Sequence, residues 1–377
     1  MKVRYIYIAL VALLGGIFWG CSDWTEVESK DFFNPPTDSY YEALREYKKS
    51  DHEISFGWFG NWTGVGASLV NSMRGIPDSV DLVSIWGNWK NITPDQDADL
   101  RFCQKVKGTK FLLCFIVHNL GDQLTPEGQT IQEYWGWEGE LIPDRPYQRW
   151  EMIDTEVTPD QETIIRKYAK QIIDTIAKYN YDGFDIDYEP NYQGKWGSLA
   201  NYPKRMSVFI DELSKYLGPK SGGEKILVID GEPQSMPSER GECMNYFIVQ
   251  AYECSGDANL DSRLKSTIDN FDGYLSPQEV AKKYIVTENF ESFAQDGGVA
   301  FTDRYGNKMQ SLEGMARWTP IIDDQKVSKG GVGTYHMEYD YPFTPEYKWL
   351  RAAIQIMNPS VKSVSYTHLT LPTNSRV

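Results

Sequence analysis

The stretch Tyr181-Asp182-Gly183-Phe184-Asp185-Ile186-Asp187-Tyr188-Glu189-Pro190 decides how the rest of the chain is read. After Gly183, apolar and acidic residues alternate strictly. Successive side chains of a β-strand point to opposite faces. Asp185, Asp187 and Glu189 therefore share one face, and Phe184, Ile186 and Tyr188 share the other. Three carboxylates in one column repel one another, and such crowding raises the proton affinity of at least one of them. A general acid working near neutral pH needs that property. Two plainer readings compete. A solvated edge strand would rarely carry large apolar residues on its back. A Ca2+ or Mg2+ loop would interleave Gly, Asn and Ser with its acids, where this stretch has Phe, Ile and Tyr.

The stretch resembles the Asp-x-x-Asp-x-Asp-x-Glu signature of glycoside hydrolase family 18, the chitinases and endo-β-N-acetylglucosaminidases. Asp182, Asp185, Asp187 and Glu189 fill the four acidic positions, and Gly183 and Phe184 supply the usual glycine and aromatic. The resemblance implies an α/β protein, a (β/α)8 TIM barrel with one catalytic domain and this motif on strand four. It also implies substrate-assisted catalysis, which departs from the common two-carboxylate scheme.

Composition agrees with one large barrel. The chain has 377 residues, 41% of them hydrophobic, with 12 Trp and 24 Tyr. That length is normal for a single α/β barrel. The net charge is −15, and no basic run exceeds a pair such as Lys48-Lys49 or Lys282-Lys283. This argues against nucleic acid and anionic membrane surfaces as partners.

Residues 1–20 read as an export signal: Lys2 and Arg4, then an apolar run over residues 5–19, then Gly20-Cys21. A membrane anchor is the competing reading, with the run near the lower limit for spanning. Cys21 after Gly20 resembles a bacterial lipoprotein cleavage site, and the acidic residues 22–28 resemble the export signal of Bacteroides-type surface lipoproteins. On that resemblance Cys21 carries the lipid, and the protein sits on the outer membrane at the cell surface. Residues 21–50 are expected to form a tether and a leading helix, and 51–363 the catalytic domain. Residues 364–377 do not fit what precedes them and resemble a translated sequencing-adaptor read-through. The remaining cysteines, Cys103, Cys114, Cys243 and Cys254, are expected to need no disulfide. Cys243 and Cys254 flank one strand whose extended length holds them apart.

From about residue 51 strand and helix patterns alternate, as in parallel α/β proteins. Strands are expected at 52–59, 80–86, 110–118, 181–189, 225–230, 245–253, 284–288 and 333–339, and helices near 66–75 and over 95–107, 203–217 and 345–357. The clearest helix covers 160–180, with Ile164, Ile165, Tyr168, Ile172, Ile173 and Ile176 at helical spacing. Residues 119–158 form a long insertion after strand three. Barrel active sites are built from loops on that face. Trp135, Trp137 and Trp150 there either stack on sugar or pack the loop onto the barrel. Tyr192 and Trp196 lie in the loop after strand four, on the same face.

Strand six ends in Val249-Gln250-Ala251-Tyr252-Glu253, where chitinases usually read Met-x-Tyr-Asp. The Gln-x-Tyr form is similar to the endo-β-N-acetylglucosaminidase branch. Gln250 and Tyr252, alternating on one face, are expected to reach one ligand group. Two features depart from chitinases. The Ser-x-Gly-Gly pattern is absent from 110–118, and Tyr335-His336-Met337 stand where a Trp is common in the last strand.

Carried over residue by residue, the family mechanism makes Glu189 the general acid and later base. Asp187 holds the acetamido N–H of the substrate. Asp185 shares a proton with Asp187, and Tyr252 with Gln250 orients the acetamido oxygen. Trp135, Trp137, Tyr192, Trp196 and Tyr335 are the candidate sugar-binding residues. The resemblance implies no metal and no cofactor. The expected partner is a GlcNAc-containing glycan bound by a monomer, with endo-β-N-acetylglucosaminidase action on N-glycan cores. A chitinase-like hydrolase and a non-catalytic surface glycan-binding protein are the alternatives.

Overall fold

The structure is a computed structural model that describes residues 36–138, 152–191 and 197–359. The unit carrying the barrel begins at Tyr41; before it, Asp38–Tyr40 are already helical. Eight parallel strands close into a barrel: β1 Ile54–Phe59, β2 Leu82–Trp86, β3 Lys110–Ile116, β4 Gly183–Tyr188, β5 Ile226–Gly231, β6 Tyr246–Val249, β7 Tyr284–Asn289 and β8 Gly331–Tyr335. Each strand pairs with its sequence neighbours, and β8 closes on β1.

Strand alternation separates two apolar layers. Phe56, Trp58, Leu82, Leu112, Cys114, Val228, Ile248 and Ile285 fill the barrel. Phe184, Ile186 and Tyr188 instead face the outer layer of helices. Parallel strands buried on both faces read as near-continuous apolar runs, as β3 does. Gly333 has a local reason: a Cβ there would lie 2.6 Å from the Phe56 carbonyl oxygen and 2.7 Å from its ring. A larger residue on β8 would displace the Phe56 ring.

The helix before β4 is the best determined by its sequence. It spans Pro159–Tyr179, with Thr158 and Gln161 forming a reciprocal capping box and Pro159 in the first turn. Asn180 ends it in the left-handed conformation at φ 50°. Ile165, Tyr168, Ile172, Ile173 and Ile176 are buried against the barrel. Two hydrogen bonds then feed the chain into β4: Tyr181 N–H to Ile176 O at 3.0 Å, and Asp182 N–H to Phe111 O at 2.7 Å.

Several expectations change, among them the last strand, which ends at Tyr335 rather than 339 and is followed by a 3-10 turn over Met337–Asp340. The 66–75 region is not an α-helix but two 3-10 turns, Leu69–Asn71 and Met73–Gly75. Its Ser and Asn side chains compete with helical hydrogen bonds, as Ser68 does in accepting from Val70 N–H, and its glycines add a backbone entropy cost. The crossover between β5 and β6 also carries 3-10 turns, Pro233–Ser235 and Ser238–Cys243, in place of a helix. Strand β6 stops at Val249 rather than running to 253, because Ala251 N–H bonds back to Val249 O at 2.8 Å. The four described cysteines are free and buried. Among the described residues no helix is long and apolar enough to cross a membrane.

Candidate active site

Strands β4 and β5 bring four carboxyl groups together, beside the amide that follows β6. Asp185 and Asp187 point into the barrel and are 0% and 3% exposed. Asp230 on β5, fully buried, is the register partner of Asp187. Glu189 follows β4 at its tip and is half-buried. Ser84 of β2 donates to Asp185 Oδ2 at 2.5 Å. The Gln250 amide donates to Glu189 Oε1 at 2.6 Å and to Asp230 Oδ1 at 3.1 Å, which uses both of its N–H groups.

No cation balances this column among the described residues. Asp185 Oδ1, Asp187 Oδ1 and Asp230 Oδ2 are buried and lack a donor. Asp185 faces Asp230, and Asp187 faces Glu189. Two carboxylates in contact hold together only by sharing a proton. Burial pushes the Asp185 carboxyl up to about 6, against donors that include Ser84. Burial, then the charges of Glu189 and Asp185, hold Asp187 well above the ordinary range. Asp230 is raised by burial and by Asp185 and Asp187. Glu189 is raised first by burial and then by the charge of Glu232, while the Gln250 bond works the other way. Tyr252, in the turn after β6, is held protonated by burial and by the charges of Asp230, Asp187 and Glu189.

An aromatic wall completes the site. Tyr335 at the end of β8 stands 6.1 Å from Trp58, 5.8 Å from Trp86 and 6.1 Å from Tyr252, ring centre to ring centre. Trp86 and Tyr335 are each half-buried, so part of each ring reaches solvent.

Comparison with known proteins fits this geometry. The sequence pattern of glycoside hydrolase family 18, BT1044-like, matches residues 25–356. The chain belongs to glycoside hydrolase family 18. It is 36% identical to a glutamate-to-glutamine variant of BT1044 whose structure superposes with a TM-score of 0.72, over 87% of this chain and 94% of that one. It is 26% identical over 344 residues to endo-β-N-acetylglucosaminidase F2 of Elizabethkingia meningoseptica, covering 84% of this chain and 85% of the relative. It is also 26% identical over 307 residues to endo-β-N-acetylglucosaminidase EndoS of Streptococcus pyogenes serotype M1, covering 72% of this chain and 28% of that protein. The protein is a glycoside hydrolase on a (β/α)8 TIM barrel.

Within this family 18 site the structure gathers Asp185, Asp187, Glu189, Gln250, Tyr252 and Tyr335. Asp182 stands apart at the other end of β4. It takes Gln104 Nε2 at 2.7 Å and the Phe111 N–H at 2.9 Å, which locks the start of the strand. Trp135 and Trp137 are not a sugar platform. They are 3% and 2% exposed and sit in the outer core, where Trp135 meets Tyr168 edge-on. Trp135 packs the insertion onto the helix before β4, and Trp137 lies against Arg205 of the helix Pro203–Ser214, whose guanidinium is 5.0 Å from its ring centre. The partner of Asp185 is Asp230 rather than Asp187. Gln250 bridges Glu189 and Asp230 instead of standing beside Tyr252 on one strand face, because β6 has ended before it. Tyr192, Trp196, Trp150, Cys21 and the tail from 364 lie outside the described residues.

Sequence reasoning passed over Asp230, Ser84, Trp58 and Trp86. Asp230 had a usable signal: it is the one acid closing an otherwise apolar strand, Ile226-Leu227-Val228-Ile229. Ser84 and the two tryptophans had none, since their places in apolar strands read equally well as core.

Proposed function

We propose that the protein is an endo-β-N-acetylglucosaminidase that hydrolyses the β-1,4 bond between the two GlcNAc residues of N-glycan cores. The observation that carries this reading is Glu189. It is half-buried at the barrel mouth, raised in proton affinity, and aimed by the Gln250 amide. The names of the curated relatives support the same substrate class.

In the mechanism, Glu189 donates its proton to the glycosidic oxygen as the bond breaks. The N-acetyl carbonyl oxygen of the substrate attacks the anomeric carbon and forms an oxazolinium ion. Asp187 accepts the acetamido N–H and stabilises the positive charge. To do so it exchanges its contact with Glu189 for one with the substrate. The Asp185–Asp230 pair behind it holds a proton and keeps the column from accumulating full charge. Tyr252 donates to the acetamido oxygen and holds it in line for attack, and such orientation supplies much of the rate. Glu189 then takes a proton from the incoming water, and the anomeric configuration is retained. The chemistry needs no metal. Trp86 and Tyr335 offer ring faces to sugar. The exported, lipid-anchored form through Cys21 belongs to the same proposal and places the enzyme where glycans are met.

The test is mass spectrometry of ribonuclease B and an immunoglobulin after incubation with the wild type or Glu189→Gln. The reading expects a single GlcNAc left on Asn with the wild type alone. Cleavage of chitin oligomers without release from either glycoprotein would replace this reading with a chitinase. No cleavage of any of these by the folded protein would favour a glycan-binding role. Triton-phase partitioning of the exported protein, lost in Cys21→Ala, checks the anchor.

A further inference from the structure

The run Asp230-Gly231-Glu232 at the end of β5 bears on Glu189 from a neighbouring strand in three different ways, directly at Gly231 and through Gln250 and Tyr188 on either side of it. Asp230 Oδ1 accepts from the same Gln250 amide that donates to Glu189, so Asp230 fixes the amide that aims the acid. Gly231 has φ +89°, and a Cβ there would lie 2.9 Å from Glu189 Cγ and 2.7 Å from Tyr188 O. Glycine is needed there both for its backbone and for its missing side chain. Glu232 N–H bonds Tyr188 O at 2.9 Å, which extends the β4–β5 ladder to the residue before Glu189.

The Glu232 carboxylate is held in place. Asn191 Nδ2, two residues beyond Glu189, donates to its Oε2 at 2.7 Å, and Ser235 Oγ lies at 3.4 Å. Its loop is pinned by the Tyr188 hydroxyl, which donates to Ser235 O at 3.1 Å. A held carboxylate beside a general acid acts on it in a definite direction, because a like charge disfavours ionisation.

We propose that Asp230-Gly231-Glu232 is a positioning motif for Glu189, in which Gly231 makes room for the side chain, Asp230 anchors its hydrogen-bond donor, and Glu232 keeps it ready to give a proton. The proposal rests on Glu189 being the acid. The titratable groups facing Glu189 among the described residues are Asp187 on its own strand, Glu232 and, through Gln250, Asp230 at the end of β5, and Tyr252 after β6. None is cationic, so Glu232 adds to a field of one sign. Its charge follows burial among the causes that raise Glu189.

The experiment compares wild type, Glu232→Gln and Gly231→Ala. Glutamine keeps an oxygen for Asn191 and removes the charge. Removing a like charge makes Glu189 easier to ionise, so the alkaline limb of the kcat/KM profile moves to lower pH, with the melting temperature kept. Gly231→Ala loses kcat on the order of 10²-fold with KM little changed, as expected for a displaced acid. A 13C NMR titration of glutamate-labelled protein, with Glu189 assigned through Glu189→Gln, reads the same midpoint without any substrate. A lower midpoint in Glu232→Gln supports the motif even if no glycan is cleaved, so the two proposals fail separately. An unmoved midpoint in Glu232→Gln overturns it, whether or not Gly231→Ala folds.

Discussion

Asp99 and Asp185 are the same residue type, buried to almost the same degree, and their surroundings are opposite. Asp99 is 2% exposed and accepts from Trp62 Nε1 at 2.9 Å, Ser72 Oγ at 2.6 Å, Met73 N at 2.7 Å and Arg74 N at 3.0 Å. The Arg74 guanidinium stands 3.7 Å away. Its charge is answered on every side, and it organises the two 3-10 turns after β1. Asp185 has the Ser84 hydroxyl, weaker donors and another carboxyl group. The first arrangement stabilises a loop. The second keeps protons at sites where carboxyl groups ordinarily lose them, which favours chemistry over stability. The contrast can be broken or sharpened by four measurements.

The largest effect is expected at Glu189. Glu189→Gln keeps the size and the Gln250 neighbour but has no proton to give, so activity falls by about 10²–10⁴-fold. The melting temperature stays within a few degrees. Initial rates alongside thermal scans check this, and near-normal rates would remove Glu189 from its role. Next come the aromatics. Trp135→Ala opens a hole in the outer core and costs about 3–5 kcal/mol, with KM unchanged while the protein is folded. Tyr335→Ala raises KM with a smaller loss of stability. Urea unfolding and steady-state kinetics separate the two, and a raised KM in Trp135→Ala would return that residue to the sugar.

Asp99→Ala leaves several buried donors unpaired and costs about 2–4 kcal/mol. Per-molecule activity of the folded fraction stays unchanged. The smallest stability effect has the opposite sign. Asp185 binds its proton more tightly folded than unfolded, with a value near 6 against an ordinary value near 4. The stability it contributes is complete below the unfolded value and is lost as pH rises through the folded one. Asp185→Asn removes that loss, so the variant gains roughly 2–4 °C over wild type at pH 7 and gains little at pH 4, while losing activity. Differential scanning calorimetry at both pH values checks this. A variant destabilised at pH 7 would place Asp185 with Asp99.

Much of this arrangement was legible in the chain. The alternation from Gly183 to Glu189 separated the inner acids from the outer apolar residues, because a strand has a period of two whatever surrounds it. The capping residues Thr158 and Gln161 marked the helix that delivers the chain to β4. The turn after Val249 was not legible, since Gln250, Ala251 and Tyr252 continue the strand pattern. Nor was the fate of Trp135 and Trp137, because stacking on sugar and packing on a helix call for the same side chain.

The sequence by itself determined the family, the barrel, and the column of Asp185, Asp187 and Glu189. The column follows from the period of a strand, which the chain states directly, whereas the family and the barrel come through the resemblance that the four-acid motif carries. Only the tertiary structure decided that Asp185 pairs with Asp230, that Gln250 links Asp230 to the acid, and that Gly231 leaves room for it. Those contacts join β4 to β5 and β6, and 20 to 61 residues separate the partners along the chain. Closure of the barrel creates that neighbourhood, and no local pattern encodes which side chains will meet across it.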